Sequence, residues 1–102
     1  IEELATRKMR AENPELASDW DAMREAARRH ELLMRKQEQE RKQLAEQQKA
    51  RRDELMRGNW KGKGEVLNAM RSVIAAEQAA EKAALKEKHQ KEREQHRQRF
   101  RP

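Results

Sequence analysis

Gly58-Asn59-Trp60-Lys61-Gly62-Lys63-Gly64 holds all three glycines of a 102-residue chain. On either side the sequence is written in Ala, Glu, Lys, Arg, Gln and Leu, which enter helices at little cost, so this is the one stretch where a long helix must stop and the chain reverse. The expected fold is all-α: an antiparallel helical hairpin with helices over 14–57 and 65–100 and a bend at 58–64. Arg57 sets a cation at the negative end of the first helix, and Gly58 follows as the residue able to take the left-handed conformation that closes it.

Toward the N-terminus, Asn13-Pro14-Glu15 reads as a helix start, with Asn13 as N-cap, Pro14 at the first helical position and Glu15 on the positive end of the dipole. Ser18, followed by Asp19 and Asp21, is a competing start. From either, the helix to Arg57 spans on the order of 60 Å at 1.5 Å per residue. Its apolar residues recur every 11 positions, with Ala22, Leu33, Leu44 and Leu55 in one row and Met23, Met34, Ala45 and Met56 beside it. Such a repeat fits three turns of about 3.67 residues, giving a coiled-coil-like seam that runs nearly straight with a slight right-handed twist. Between these rungs the same face offers Ala26, His30, Gln37, Arg41, Gln48 and Arg52, so dry and wet layers alternate.

The second arm keeps the same period, with Ile74, Leu85 and His96 in one row and Leu67, Gln78, His89 and Phe100 in the next. A seam shared by both arms argues that they pair. Folding about Lys61 sets Leu55 against Leu67, Gln48 against Ile74, Gln37 against Leu85 and Arg41 against Glu81. Ahead of this long hairpin (13–102), residues 1–12 place Ile1, Leu4, Ala5, Lys8 and Met9 at helical spacing, the pattern of a short amphipathic helix.

Composition narrows the function classes. With 34% hydrophobic, 43% charged and 3% aromatic residues, a thick globular core is excluded, and the residue types are those of long solvated helices. The absence of cysteine removes disulfide and thiol chemistry and favours a cytoplasmic location. No apolar run approaches the roughly 20 residues that span a bilayer, so no membrane partner is expected. The start at Ile1 rather than Met suggests a fragment of a longer protein.

The net charge of +6 is unevenly spread: residues 35–63 carry ten basic and five acidic side chains and residues 86–102 seven and three, while the remaining stretches are slightly acidic. Basic clusters of this kind suit a polyanion, because Lys and Arg release condensed counterions from phosphate. The candidate nucleic-acid residues are Trp60, Lys61 and Lys63 in the bend, Arg51, Arg52 and Arg57 beside it, and Lys91, Arg97, Arg99 and Arg101 in the tail. Trp60 between lysines and glycines could stack a base; equally, it could pack on Leu55, Met56 and Leu67 as a lid. The bend lacks the spacing and the preceding strand of a phosphate-binding loop, and no recognition-helix motif points to base reading. In the tail, Glu87 with Lys91 and Glu94 with Gln98 suit i, i+4 pairing.

Catalysis has no candidate. Ser18 and Ser72 lie far from any orienting base. His89, Glu92 and His96 share a helical face, and the register above brings His30 opposite Glu92, but the Glu-x-x-His and His-Glu-x-x-His signatures are missing and polar seam layers account for the histidines. No metal, cofactor or small-molecule substrate is expected.

The run Arg35 to Arg57 (RKQEQERKQLAEQQKARRDELMR) and the stretch Ala75 to Pro102, ending HQKEREQHRQRFRP, resemble the helical region downstream of the nuclease domain in large relaxases of conjugative plasmids and integrative elements. In that family the nicking chemistry belongs to an N-terminal domain with a catalytic tyrosine and a histidine cluster. This chain has no tyrosine, so no catalytic role carries over. The resemblance implies a non-catalytic helical module of a DNA-processing protein, contacting DNA, the relaxosome or the secretion channel. Two rivals stand beside it: a structural spacer that associates with a protein partner or a second copy, and a hairpin that binds RNA, which ranks behind DNA.

Overall fold

The protein's structure, a computed structural model, describes residues 14–100. The short helix expected at 1–12, the Asn13 cap and Arg101 lie outside them. Two helices, α1 (Pro14–Met56) and α2 (Gly64–Arg99), make up almost all of the described chain, and among the described residues there is no strand. The chain divides into two compact units, the first reaching Arg35 and the second running from Lys36 to Arg101.

In the first unit, the described residues are the N-terminal part of α1. The helix opens at Pro14, leaving Ser18 inside it rather than at its start. Ala17 is buried, while Ala26, Leu33 and Met34 are half-buried and Met23 is 66% exposed. Two ion pairs at i, i+4 spacing, Glu25 with Arg29 at 2.8 Å and Glu31 with Arg35 at 2.7 Å, support the solvated face. The Arg29 guanidinium, hydrogen-bonded to Glu25, holds that carboxyl below its ordinary value.

The second unit is an antiparallel hairpin, formed by the rest of α1, the bend and α2. Among the described residues its buried side chains are Gln37, Gln48, Ile74, Gln78 and His89, so four of these five positions are polar. The layers read as wet in the sequence are therefore the most enclosed. They are tolerable because each amide nitrogen is spent across the interface: Gln48 Nε2 donates to the Gln78 carbonyl at 3.0 Å, and Gln78 Nε2 returns a bond to the Gln48 carbonyl at 2.9 Å. Eleven residues earlier on α1 and eleven later on α2, Gln37 Nε2 donates to the His89 carbonyl at 3.0 Å. The 11-residue repeat is thus realised as buried polar rungs bonded to the partner helix's backbone.

These bonds correct the expected register. Gln48 faces Gln78 rather than Ile74, and Gln37 faces His89 rather than Leu85, a slip of one helical turn. Arg41 pairs with Glu38 on its own helix at 2.9 Å, not with Glu81. Met56 Sδ lies 3.0 Å from Arg71 Nη2, again about one turn beyond the expected match. Two causes act together. The slip matches layers by polarity, so that Leu44 and Leu85 line one groove and Leu55 and Ile74 another, while amides meet polar partners. The reversal also comes late, because helical bonding persists past Met56: Arg57 N–H reaches the Asp53 carbonyl at 3.1 Å and Gly58 N–H the Leu55 carbonyl at 3.3 Å.

The turn itself is Trp60–Lys63, closed by Lys63 N–H to the Trp60 carbonyl at 2.9 Å. Gly62, at its third position, is the glycine with positive φ (74°), as a type II turn requires, and Gly58 does not take the left-handed conformation expected of it. Gly58 is needed for space instead. A Cβ there would meet the Trp60 indole nitrogen at 3.0 Å.

Candidate nucleic-acid interface

The bend is assembled by saturating the end of α1. Trp60 Nε1 donates to the Leu55 carbonyl at 2.6 Å, a second bond to an oxygen of the last turn that Gly58 N–H also reaches. The ring is half-buried, and its bond to α1 fixes the backbone on which the lysines stand. Asn59 Oδ1 accepts from Lys61 N–H at 3.3 Å, which shapes the approach to the turn. Lys61 and Lys63 then project from a compact seven-residue connection.

Of the ten sequence-derived candidates, Arg101 lies outside the described residues and Trp60 is uncharged, and the structure separates the other eight into two kinds. Arg51, Arg57, Lys61 and Lys63 are exposed, and among the described residues their side chains enter no ion pair or hydrogen bond. The others are engaged: Arg52 Nη1 donates to Gln78 Oε1 at 2.9 Å, Lys91 pairs with Glu87 at 3.3 Å, Arg97 pairs with Glu94 at 3.4 Å, and the Arg99 guanidinium stands 5.8 Å from the Phe100 ring centre. Gln98 also donates to Glu94, at 3.4 Å, as its spacing anticipated. Within this candidate set the free cations lie in and beside the bend, where residues 49–71 carry seven basic and three acidic side chains. Unpaired, solvated ammonium and guanidinium groups are the ones that can exchange counterions for phosphate without first breaking a contact.

A second polar constellation, absent from the sequence-derived set, sits in the Gln37–His89 layer. Glu40, half-buried, accepts from Lys88 at 2.7 Å through Oε2 and directs Oε1 toward His89 Nε2 at 3.7 Å. The Lys88 ammonium holds the Glu40 carboxyl below its ordinary value of 4.5, and Glu40 in turn raises Lys88 above 10.5. Glu92 faces Lys36 at 3.9 Å and Gln37 Nε2 at 3.4 Å. The expected register offered His30 as the residue opposite Glu92, and the actual one supplies Lys36, Gln37 and Glu40 around it. Sequence spacing could not find Glu40, since its partners lie some fifty residues away.

Two curated proteins are similar to parts of the chain. "Protein MobA" of Acidithiobacillus ferrooxidans is 96% identical over 45 residues, covering 44% of this chain and 11% of that protein. "Protein TraN" of Escherichia coli is 84% identical over 38 residues, covering 37% of this chain and 8% of that protein. The chain thus spans about a tenth of the length of these relatives. No family model matches, and no solved structure does. No helix among the described residues is long and apolar enough to cross a membrane.

Proposed function

We propose that this chain is a non-catalytic helical module of a conjugative, relaxase-like DNA-processing protein, and that its basic bend contacts nucleic acid, with DNA ahead of RNA. The names of the two similar proteins point to conjugation and plasmid mobilisation, and the near-identity over 45 residues supports extending that setting to this chain. The observation that carries the contact is the set of exposed, unpaired cations Arg51, Arg57, Lys61 and Lys63 around a bend whose backbone is held by Trp60. Phosphate contacts of this type position a nucleic acid without reading its sequence. The engaged cations of the tail play a smaller part.

The test is fluorescence anisotropy of labelled single-stranded DNA, double-stranded DNA and RNA, at about 50 and 200 mM salt. Binding should weaken steeply with salt, and Lys61→Gln with Lys63→Gln should lower affinity and flatten the salt slope while leaving the helical circular dichroism spectrum intact. An unchanged affinity in the double variant removes the bend from the interface.

One observation favours a second reading, in which the module is a self-associating spacer. Val66, Met70 and Val73, at i, i+4 and i+7 on α2, are 52%, 40% and 57% exposed and form an apolar row outside the seam. Sedimentation showing dimers that bind none of the three nucleic acids would select it.

A further inference from the structure

We propose that Glu40, His89 and Glu92 form a binding site for a divalent transition-metal ion of the zinc type. One ligand atom from each of the three residues lies within 4.8 Å of the other two. Carboxylates near one another are common on solvated helices, and the imidazole is what distinguishes this group. His89 is 2% exposed, its Nε2 has no hydrogen-bond partner, and it faces Glu40 Oε1, which is itself buried and unbonded.

The distance between them is informative. At 3.7 Å the nitrogen and oxygen are too far apart for a hydrogen bond. They are close to the separation of about 3.4 Å that two ligands adopt when each sits roughly 2.1 Å from a tetrahedral ion. With the ring proton on Nδ1, Nε2 and Oε1 are both acceptors, and a cation between them satisfies both.

The surroundings fit the outer sphere of a metal centre. Glu40 uses Oε2 for Lys88 and keeps Oε1 inward, so it can serve as a monodentate ligand whose far oxygen is already held. Glu92 differs in having both oxygens engaged, Oε2 with Lys36 at 3.9 Å and Oε1 with Gln37 at 3.4 Å, so the ion would displace one of these long contacts. Gln37 fixes the layer by its bond to the His89 carbonyl. The Lys88 contact keeps the Glu40 carboxylate ionised, as a ligand must be. Two carboxylates neutralise a divalent ion, and the imidazole selects zinc, cobalt or nickel over magnesium and calcium, while the absence of thiolate disfavours copper(I). Three protein ligands leave a coordination position open to water or to an anionic group of a partner. Two ligands come from α2 and one from α1, so occupancy would clamp the arms together away from the bend.

The experiment uses the full 102-residue chain, freed of metal by chelator and dialysed, with ZnCl2, CoCl2 and MgCl2 as probes. Calorimetry should show one zinc per chain, the thermal midpoint should rise with zinc and not with magnesium, and cobalt should give visible d–d absorption. Glu40→Gln and His89→Gln should each lower zinc affinity by at least about tenfold, given that loss of outer-sphere partners alone costs about 10- to 100-fold. His96→Gln should keep it. Should His89→Gln fail to fold, Glu92→Gln serves in its place, because Glu92 stands at the rim with 22% of its side chain exposed. The proposal is overturned if the parent chain binds no zinc stoichiometrically, if the Glu40 and Glu92 variants bind it as tightly as the parent, or if the His96 variant loses it.

Discussion

The two polar rungs of the hairpin occupy equivalent places in the 11-residue repeat and are built differently. At Gln48–Gln78 the amides exchange bonds with each other's backbone, and Arg52 takes the remaining oxygen of Gln78. At Gln37–His89 only the α1 partner bonds across, and the histidine ring is left facing two carboxylates. The first rung spends both amide nitrogens and one amide oxygen on holding the helices, leaving Gln48 Oε1 as its one buried atom without a partner. The second leaves His89 Nε2 and Glu40 Oε1 facing each other without partners. Equal burial thus conceals unequal commitment, and the uncommitted layer is the one able to take a ligand.

The largest effect that would test this contrast is at the first rung. Gln78→Ala removes the bond to the Gln48 carbonyl and the charge-assisted bond from Arg52, and should lower stability by about 2 to 3 kcal/mol in urea melts followed by circular dichroism. A loss as small as that of an exposed surface change would mean that the rung does not hold the hairpin.

A middle-sized effect is expected on acidification. The lowered Glu40 value means that its contribution is present above about 4.5 and disappears as pH falls through the folded-state value. Thermal midpoints should therefore drop over that acidic window, and Glu40→Gln should flatten the drop. The raised value of Lys88 gives the opposite limb, with stability present below about 10.5 and lost as pH rises through the folded-state value. The smallest effect belongs to the second rung: without metal, His89→Gln should shift stability by no more than about 1 kcal/mol, because the bond from Gln37 goes to the backbone. A loss matching that of Gln78→Ala would erase the distinction between the rungs.

Much of this arrangement was legible in the sequence, because an 11-residue period survives any local choice of residue. The rows containing Leu44, Leu55, Ile74, Gln78, Leu85 and His89 do line the seam. The row through Ala45 and Met56 lies at the margin, bordering the same grooves, with Met56 48% exposed. The register was missed by a turn because the pivot was set at the centre of the glycine stretch, whereas backbone bonding through Arg57 and Gly58 delays the reversal. Polarity held the missing cue: the expected pairing opposed Gln48 to Ile74, leaving an amide against an aliphatic side chain. His89 and Glu92 share a face in the sequence, but Glu40 was hidden from them for the same reason, as a turn's error in register changes every neighbour across the seam.

The glutamine rungs carry a consequence for motion. An apolar seam of uniform leucines would permit small slides at little cost, but here most displacements of α2 along α1 set an amide against a leucine or isoleucine. Amide faces amide again only after eleven residues, about 16 Å, when Gln78 would come level with Gln37. The helix pair behaves as a notched rail, whose stops are three turns apart, and the seven residues from Arg57 to Lys63 select the notch.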